Sequence, residues 1–376
     1  MVTRLTKSVA AMAILAASAF LYTAAAGIAD DWAKMAGAMK GKVVYASPPT
    51  LKVLDLSTGQ AKDVPSVTVA GSPGRSGRGK TPRPSWSPEG DRFLYRYNGK
   101  IYVCDPAGNK EELSNSKMKK GDETRWSWWK GDGGHWAVGP STSGGVIRVN
   151  ISKPSEVKTV YGGSNVKNWC EMTGTGKYVV YFDGSNVNVT SAGSSDKGKR
   201  ISSGQSCRPC AAPDDRAAWL QNPHTKYHIH NAKTGASMGA LKAPSGEEIY
   251  RMNWSNLPDY AAHMDGSESA QKRRMHVRKI SNGAKAYIGI GWDPDLWAGD
   301  ATSLGNAATI PNNYRLRSAA AHATMNNGYV LFDMSGRILQ AGNSAGKDIP
   351  ASGAFLMRTQ NNEYSSVLKI KANKGK

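Results

Sequence analysis

Ser85-Trp86-Ser87-Pro88-Glu89-Gly90-Asp91-Arg92-Phe93-Leu94-Tyr95 is the stretch that decides the fold of this chain. A Trp-bearing strand end runs into a Pro-Glu-Gly turn and an apolar strand leaves it, the residue order of a tight β-hairpin. Fainter copies follow. Arg125-Trp126-Ser127-Trp128, Asn168-Trp169-Cys170 with Gly174 to Tyr181, Pro209 to Arg216, Asn253-Trp254-Ser255 with Pro258-Asp259, and Gly291 to Asp295 fall into one register. Marked at 86, 126, 169, 210, 254 and 292, the units stand 40, 43, 41, 44 and 38 residues apart. Repeats of about 40 residues, each holding several short strands, have the spacing of a β-propeller.

Each unit has the same internal order. An apolar strand meets a Pro or Gly turn, alternating strands follow, and a polar linker ends the unit. Asn98-Gly99 suits a type I′ hairpin, whose two central residues both take positive φ. Asp183-Gly184 is expected to make the equivalent turn in the next unit but one. A four-stranded unit cannot bury both its faces alone, so units stack around an axis and the ring must close. Residues 41–64 read as middle and outer strands without a Trp-bearing first strand, and Trp292-Asp293-Pro294-Asp295-Leu296-Trp297 reads as a first strand without the rest. Joined, they make one composite blade and a total of six, with five or seven as the alternatives.

Composition agrees with this reading. The 376 residues include 41 Gly and 18 Pro without a three-residue period, which excludes collagen and coiled coil and argues against a helix bundle. With 39% hydrophobic residues there is enough apolar surface for a core, so global disorder is excluded as well. Lys and Arg number 49 against 29 Asp and Glu, a formal charge of +20. Arg4 and Lys7 precede an uncharged stretch from Ser8 to Ala29, and Ala24 and Ala26 fit the small-residue rule of a signal peptidase. Cleavage near Ala26 is expected, with an uncleaved anchor as the alternative; the mature chain, without those two cations, would carry +18 and no membrane span. The expected organisation is a signal peptide at 1–26, an N-terminal segment at 27–41, a propeller at 42–300, a linker at 301–313 and a small C-terminal β-sandwich at 314–376.

The repeat resembles those of Tol-type and WD-like propellers of exported bacterial proteins, in which Trp-Ser-Pro-Asp-Gly marks the first turn of a blade. The match is strong at Trp86 to Tyr95, fair at Trp254 and Trp292 and weak elsewhere, and Glu89 replaces the usual Asp. The last segment, with Phe332-Asp333-Met334-Ser335-Gly336-Arg337, the run Ile349 to Leu356 and a strand ending in Lys369 and Lys371, is similar to the sorting domain of type IX secretion substrates and to the small immunoglobulin-like modules at the ends of other bacterial surface proteins. Resemblance to the sorting domain implies passage across an outer membrane and release or surface attachment, with a plain structural appendage as the alternative. The expected location is therefore the periplasm, the cell surface or the outside of a bacterium with an outer membrane.

Motifs for chemistry are poor in comparison. Gly74-Arg75-Ser76-Gly77-Arg78-Gly79-Lys80-Thr81 matches a phosphate-binding loop in letters, but Pro82 and Pro84 forbid the helix such a loop requires. ATP is not an expected ligand, and export argues against intracellular nucleic acid. Cys170 is expected to bridge to Cys207 or Cys210, since thiols of exported proteins oxidise, whereas Cys104 stands apart. His224, His228 and His230 are the one histidine cluster. Some Tol-like propellers are oligogalacturonate lyases that hold a divalent metal with several histidines, so the resemblance makes a polyuronate lyase the enzymatic alternative. The primary expectation has no catalytic residue and no cofactor: a monomeric binding module for protein or acidic polysaccharide. Contacts are expected from Trp128 and Trp129, which fall outside the Trp register, and from the basic loops at Arg75, Arg78, Lys80, Lys272, Arg273 and Arg274. An assembly partner of an envelope complex is a third reading.

Overall fold

The computed structural model describes residues 25–69, 82–121, 123–203, 206–245, 247–266 and 273–299, together with the backbone of four strands between 329 and 370. The chain divides into two units, Met1–Asn306 and Ala307–Lys376. The first 24 residues and the expected linker at 301–313 lie outside the described residues.

In the first unit, a helix at 25–36 (α1) occupies most of the expected N-terminal segment. It buries Trp32 and Met35 in the core that also holds Val43, Val44 and Leu296, and the Trp32 indole N–H donates to Met39 O at 2.7 Å. Strands β1 (Lys40–Ser47), β2 (Thr50–Asp55) and β3 (Gln60–Asp63) then form a meander. Four antiparallel sheets follow, each of four strands. The first holds β4 (Ser85–Trp86), β5 (Phe93–Tyr97), β6 (Lys100–Cys104) and β7 (Lys110–Leu113). The second holds β8 (Ser127–Gly131), β9 (Gly134–Pro140), β10 (Val146–Asn150) and β11 (Val157–Tyr161). The third holds β12 (Cys170–Met172), β13 (Tyr178–Phe182), β14 (Val187–Ser191) and β15 (Lys199–Arg200). The fourth holds β16 (Ser206–Ala211), β17 (Arg216–Gln221), β18 (Lys226–Asn231) and β19 (Ser237–Lys242).

The remaining strands of this unit share one sheet. β20 (Glu248–Trp254), β21 (Tyr260–Gly266) and β22 (Arg273–Lys279) lead into β23 (Lys285–Gly299), a strand of 15 residues that serves two ladders. Its first half pairs with β22 from Arg278↔Lys285 to Arg273↔Gly291, and its second half pairs with β1 from Ala46↔Trp292 to Lys40↔Gly299. The seven-stranded order β20-β21-β22-β23-β1-β2-β3 follows, and Val43 lies opposite Leu296. The start of the domain is thus sealed to its end by backbone hydrogen bonds, as the split unit requires.

First strands touch in a cycle. Trp128 N–H donates to Ser85 Oγ at 3.0 Å, Arg125 N–H to Asn168 O at 2.9 Å, and Ala211 N–H to Glu171 Oε2 at 2.8 Å. Arg208 lies over Tyr250 at 4.4 Å, Asn253 Nδ2 donates to Pro294 O at 2.8 Å, and Trp86 N–H donates to Asp295 Oδ2 at 2.8 Å. The last contact returns to the strand from which the first set out. The fold is all-β and propeller-like.

The turns correct the register. Ser87 N–H bonds Arg92 O, Thr173 N–H bonds Tyr178 O, Ala212 N–H bonds Arg216 O and Ser255 N–H bonds Tyr260 O, so the residues before them, Trp86, Met172, Ala211 and Trp254, are equivalent. Trp129, at the corresponding place on β8, completes a series spaced 43, 43, 39 and 43 residues apart. Trp126 and Trp169 sit three residues early. Trp is a poor register mark here because indoles fill the core from several positions, whereas the turn bond is fixed by backbone geometry. Gly90 in the first turn has φ 69°, and a Cβ there would meet the Trp297 indole at 2.4 Å, so only Gly fits.

Hairpins follow the expected chemistry with one exception. Asn98 and Gly99 both take positive φ, 48° and 72°, and so do Asp132 and Gly133, a pair that the sequence reading passed over. Asp183-Gly184 differs: only Gly184 is left-handed, and the Asp183 carboxylate accepts from Ser185 and Asn186 N–H in a longer loop. In the second unit, β24 (Tyr329–Phe332), β25 (Ile338–Gly342), β26 (Gly353–Arg358) and β27 (Tyr364–Ile370) form one antiparallel sheet in the order β25-β24-β26-β27. A sandwich needs two layers, and the strands described there form a single one. Among the described residues no helix is long and apolar enough to cross a membrane.

Candidate functional site

A cavity of about 30 Å³ lies where the first strands begin, and all of them or their lead-in residues reach it. Arg83 comes from before β4, Arg125 from before β8, Trp169 from before β12, Arg208 from β16, Arg251 and Asn253 from β20, and Asp293 from β23. The arrangement has a backbone cause. Arg83, Arg208, Arg251 and Asp293 adopt left-handed φ of 45°, 49°, 47° and 50°, a region that non-Gly residues avoid. The β16–β17 and β20–β21 ladders slip between Cys207 and Cys210 and between Tyr250 and Asn253, so Arg208 and Arg251 occupy bulges. A bulge turns a side chain out of the pleat alternation, here toward the cavity.

Four guanidiniums therefore share a small volume. Arg251, 8% exposed, is paired with Asp293, 1% exposed. Arg125 Nε stands 2.5 Å from Glu171 Oε1; burial opposes its charge, but Glu171 and Asp295 outweigh that and raise its pKa. Arg83 donates to Glu123 O and lies over Trp169 at 5.4 Å, while burial and the neighbouring Arg251 and Arg96 push its pKa well down. Two buried donors, Arg83 Nε and Arg208 Nη1, make no hydrogen bond. Nearby, burial raises Asp295 to about 7, although it accepts from Trp86 N–H and lies near Arg125. The cavity has more cations than the fixed carboxylates of Glu171 and Asp293 neutralise.

Sequence-predicted contacts fall elsewhere. Arg75, Arg78, Lys80 and Lys272, with the phosphate-loop look-alike at 74–81, lie outside the described residues. Trp128 and Trp129 are 8% and 7% exposed and do not form an aromatic surface. The Trp128 indole donates to His135 Nδ1 and that of Trp129 to Gly174 O, because Trp129 is the true counterpart of Trp86 in the repeat. Arg273 is 2% exposed and stacked 3.6 Å over Tyr250; Arg274 is a surface residue engaged by Asp265 and Glu247. Asp295 is buried on β23.

The disulfide is corrected as well. All four cysteines are thiols: Cys170 packs in the core with Val179 and Tyr181, and Cys210 in another with Leu220 and Ile249. Adjacent strands bring their backbones near, but the side chains enter different inter-sheet layers. Burial raises the Cys104 thiol to about 12. The histidines do not converge. His224 Nδ1 meets Tyr250 OH at 2.7 Å, His228 Nε2 meets Gln221 at 2.8 Å with its ring stacked on Trp219, and His230 Nδ1 meets Gly235 O at 3.0 Å. Among the described residues no group of three His, Cys, Asp or Glu is placed to hold a metal ion.

Sequence reasoning missed the arginine cluster, although a signal existed. Arg83-Pro84-Ser85-Trp86, Arg208-Pro209-Cys210-Ala211 and Arg251-Met252-Asn253-Trp254 all place Arg three residues ahead of the hairpin mark. Only the corrected register aligns them.

The sequence matches no family model and no curated protein. Solved structures with distant likeness include TolB from Acinetobacter baumannii, at 16% identity and TM-score 0.47 over 69% of this chain and 66% of that one. A TolB candidate from Agrobacterium tumefaciens aligns at 12% identity and TM-score 0.49, covering 70% of this chain and 99% of that one. Apo AztD from Citrobacter koseri aligns at 10% identity and TM-score 0.41, covering 70% and 99%.

Proposed function

We propose that this protein is an exported, non-catalytic, six-bladed propeller that binds an acidic protein or polysaccharide at the arginine-lined end of its axis. The count of first strands around the cycle of contacts supports six blades, with β23 and β1 to β3 as the composite blade. The observation that carries the binding assignment is the meeting of Arg83, Arg125, Arg208 and Arg251 at one cavity. Binding is favoured over turnover because Asp293, which lines the cavity, and Glu171 beside Arg125 are engaged by guanidiniums, which suits these two to hold arginines in place and not to move protons. The signal-like residues 1–26 support export to the periplasm, the surface or the medium, and the C-terminal sheet is assigned to sorting or anchoring.

The test is retention of the mature chain on immobilised polygalacturonate and poly-glutamate beside neutral dextran, over a salt series. Acidic matrices should retain the protein and lose it as salt rises, since counterions compete for the guanidiniums. Equal retention on dextran, or release of unsaturated uronate from polygalacturonate, would remove the proposal.

A further inference from the structure

We propose that the cavity is a carboxylate-binding site for an acidic peptide, taking one Asp, Glu or C-terminal carboxylate between Arg83 and Arg208. The inference rests on the binding assignment above and narrows its ligand. Three independent features of the site point the same way.

The first is unsatisfied donor capacity. Arg83 and Arg208 line the cavity, and Arg83 Nε and Arg208 Nη1 are buried and make no hydrogen bond. A buried donor without an acceptor is costly, and a carboxylate offers two oxygens with about four acceptor positions, enough for both. Arg83 is held by Glu123 O and Trp169, and Arg208 by the Tyr250 ring, so both are already fixed in position. Holding the donors in place before binding reduces the ordering cost of association.

Size is the second feature. About 30 Å³ corresponds to roughly two or three water positions on this measure, each needing about 10–15 Å³. That accommodates a carboxylate on a flexible stem. In a uronate the carboxylate is attached directly to the sugar ring, which is too bulky to follow it in. Peptide carboxylates reach such a site on one or two methylenes, or at a chain end.

The third is retained strain. Arg83, Arg208 and Arg251 hold left-handed φ that each costs of the order of the free energy of a hydrogen bond, and the fold keeps all three. Relaxing Arg208 or Arg251 would return that side chain to the pleat and take it out of the cluster. Arg251, already paired with Asp293, acts as a positioning residue that keeps a positive wall behind the ligand.

Calorimetric titration of the mature chain would use four probes: acetyl-Gly-Gly-Glu-amide, its Gln analogue, trigalacturonate and inorganic phosphate. Arg83→Met and Arg208→Met remove the proposed contacts, Arg208→Lys keeps the charge without the fork, and Arg274→Ala is the surface control. Thermal melts establish that each variant is folded. The Glu peptide should bind at least tenfold more tightly than the Gln analogue. Both Met variants should lose tenfold or more, Arg208→Lys should lose most of that, and Arg274→Ala should match the parent. Equal binding of the Glu and Gln peptides, or unchanged affinity in the folded Met variants, would overturn the inference. Binding of trigalacturonate or phosphate in preference to the Glu peptide would overturn it too while leaving an acidic ligand in place. Failure of all probes together with loss of retention on both acidic matrices would overturn the broader assignment as well.

Discussion

The seam between β1 and β23 and Asp293, the carboxylate of the arginine cluster, lie a few residues apart on the same strand and are built by opposite rules. At the seam, Val43, Val44, Leu296 and Ala298 are fully or almost fully buried, the ladder is continuous apart from one shift near Tyr45, and hydrophobic pattern and pairing agree. Local preference and global fold point to the same structure there. At the cavity, Asp293 departs from strand geometry, cations crowd together, and donors are left without acceptors. A fold that could relax these features at no loss of function would be more stable. The contrast teaches that β23 is divided by purpose: its apolar positions hold the ring shut, and its polar ones serve the axis.

The largest expected effect comes from dividing the Arg251–Asp293 pair. Arg251→Met removes the guanidinium paired with a carboxylate that is 1% exposed, a loss of about 3–5 kcal/mol in unfolding free energy by urea titration. Adding Asp293→Asn should restore most of it. If the double variant is as unstable as the single one, the loss comes from packing, and the two regions obey one rule after all.

Asp295 joins the two regions, since its backbone pairs with Val44 while its carboxylate accepts from Trp86 N–H. Burial raises its folded pKa from 3.8 to about 7, so the folded state holds this proton more tightly than the unfolded state. Its contribution to stability is present in full below the unfolded value and is lost as pH rises toward 7, by up to about 4 kcal/mol. Asp295→Asn should flatten the stability profile between about pH 4 and 7, measured by urea midpoints at fixed ionic strength. Parallel profiles for parent and variant would show that another group sets the pH response.

The smallest of the three is the cleanest test of the division. Leu296→Ala opens a cavity at the seam and should cost about 3 kcal/mol. Affinity for acidic matrices, measured on the folded fraction, should be unchanged. A matching loss of affinity would mean that the ring closure sets the arginine geometry directly.

Much of the fold was legible because turn chemistry and apolar alternation are local. Asn98-Gly99 and the Pro88-Glu89-Gly90 turn identify their hairpins from a few residues, and the unpaired halves at 41–64 and 292–297 revealed the closure. The candidate site was not legible for a corresponding reason. Arg83, Arg208 and Arg251 look like ordinary exposed cations in sequence, their convergence depends on two bulges and on left-handed backbone, and their common spacing shows only in the register that the turns define. Trp128 and Trp129 misled in the opposite sense, since an aromatic pair outside an assumed register looked available for binding when it was filling the core.

The sequence by itself determined an all-β chain of repeated antiparallel units, an end-to-start closure and a strong positive charge, because hydrophobic period and turn residues act over distances of a few positions. Tertiary structure alone decided where that charge matters. Charges from strands far apart along the chain interact strongly only once the ring has brought them into one desolvated volume, and there water no longer screens them.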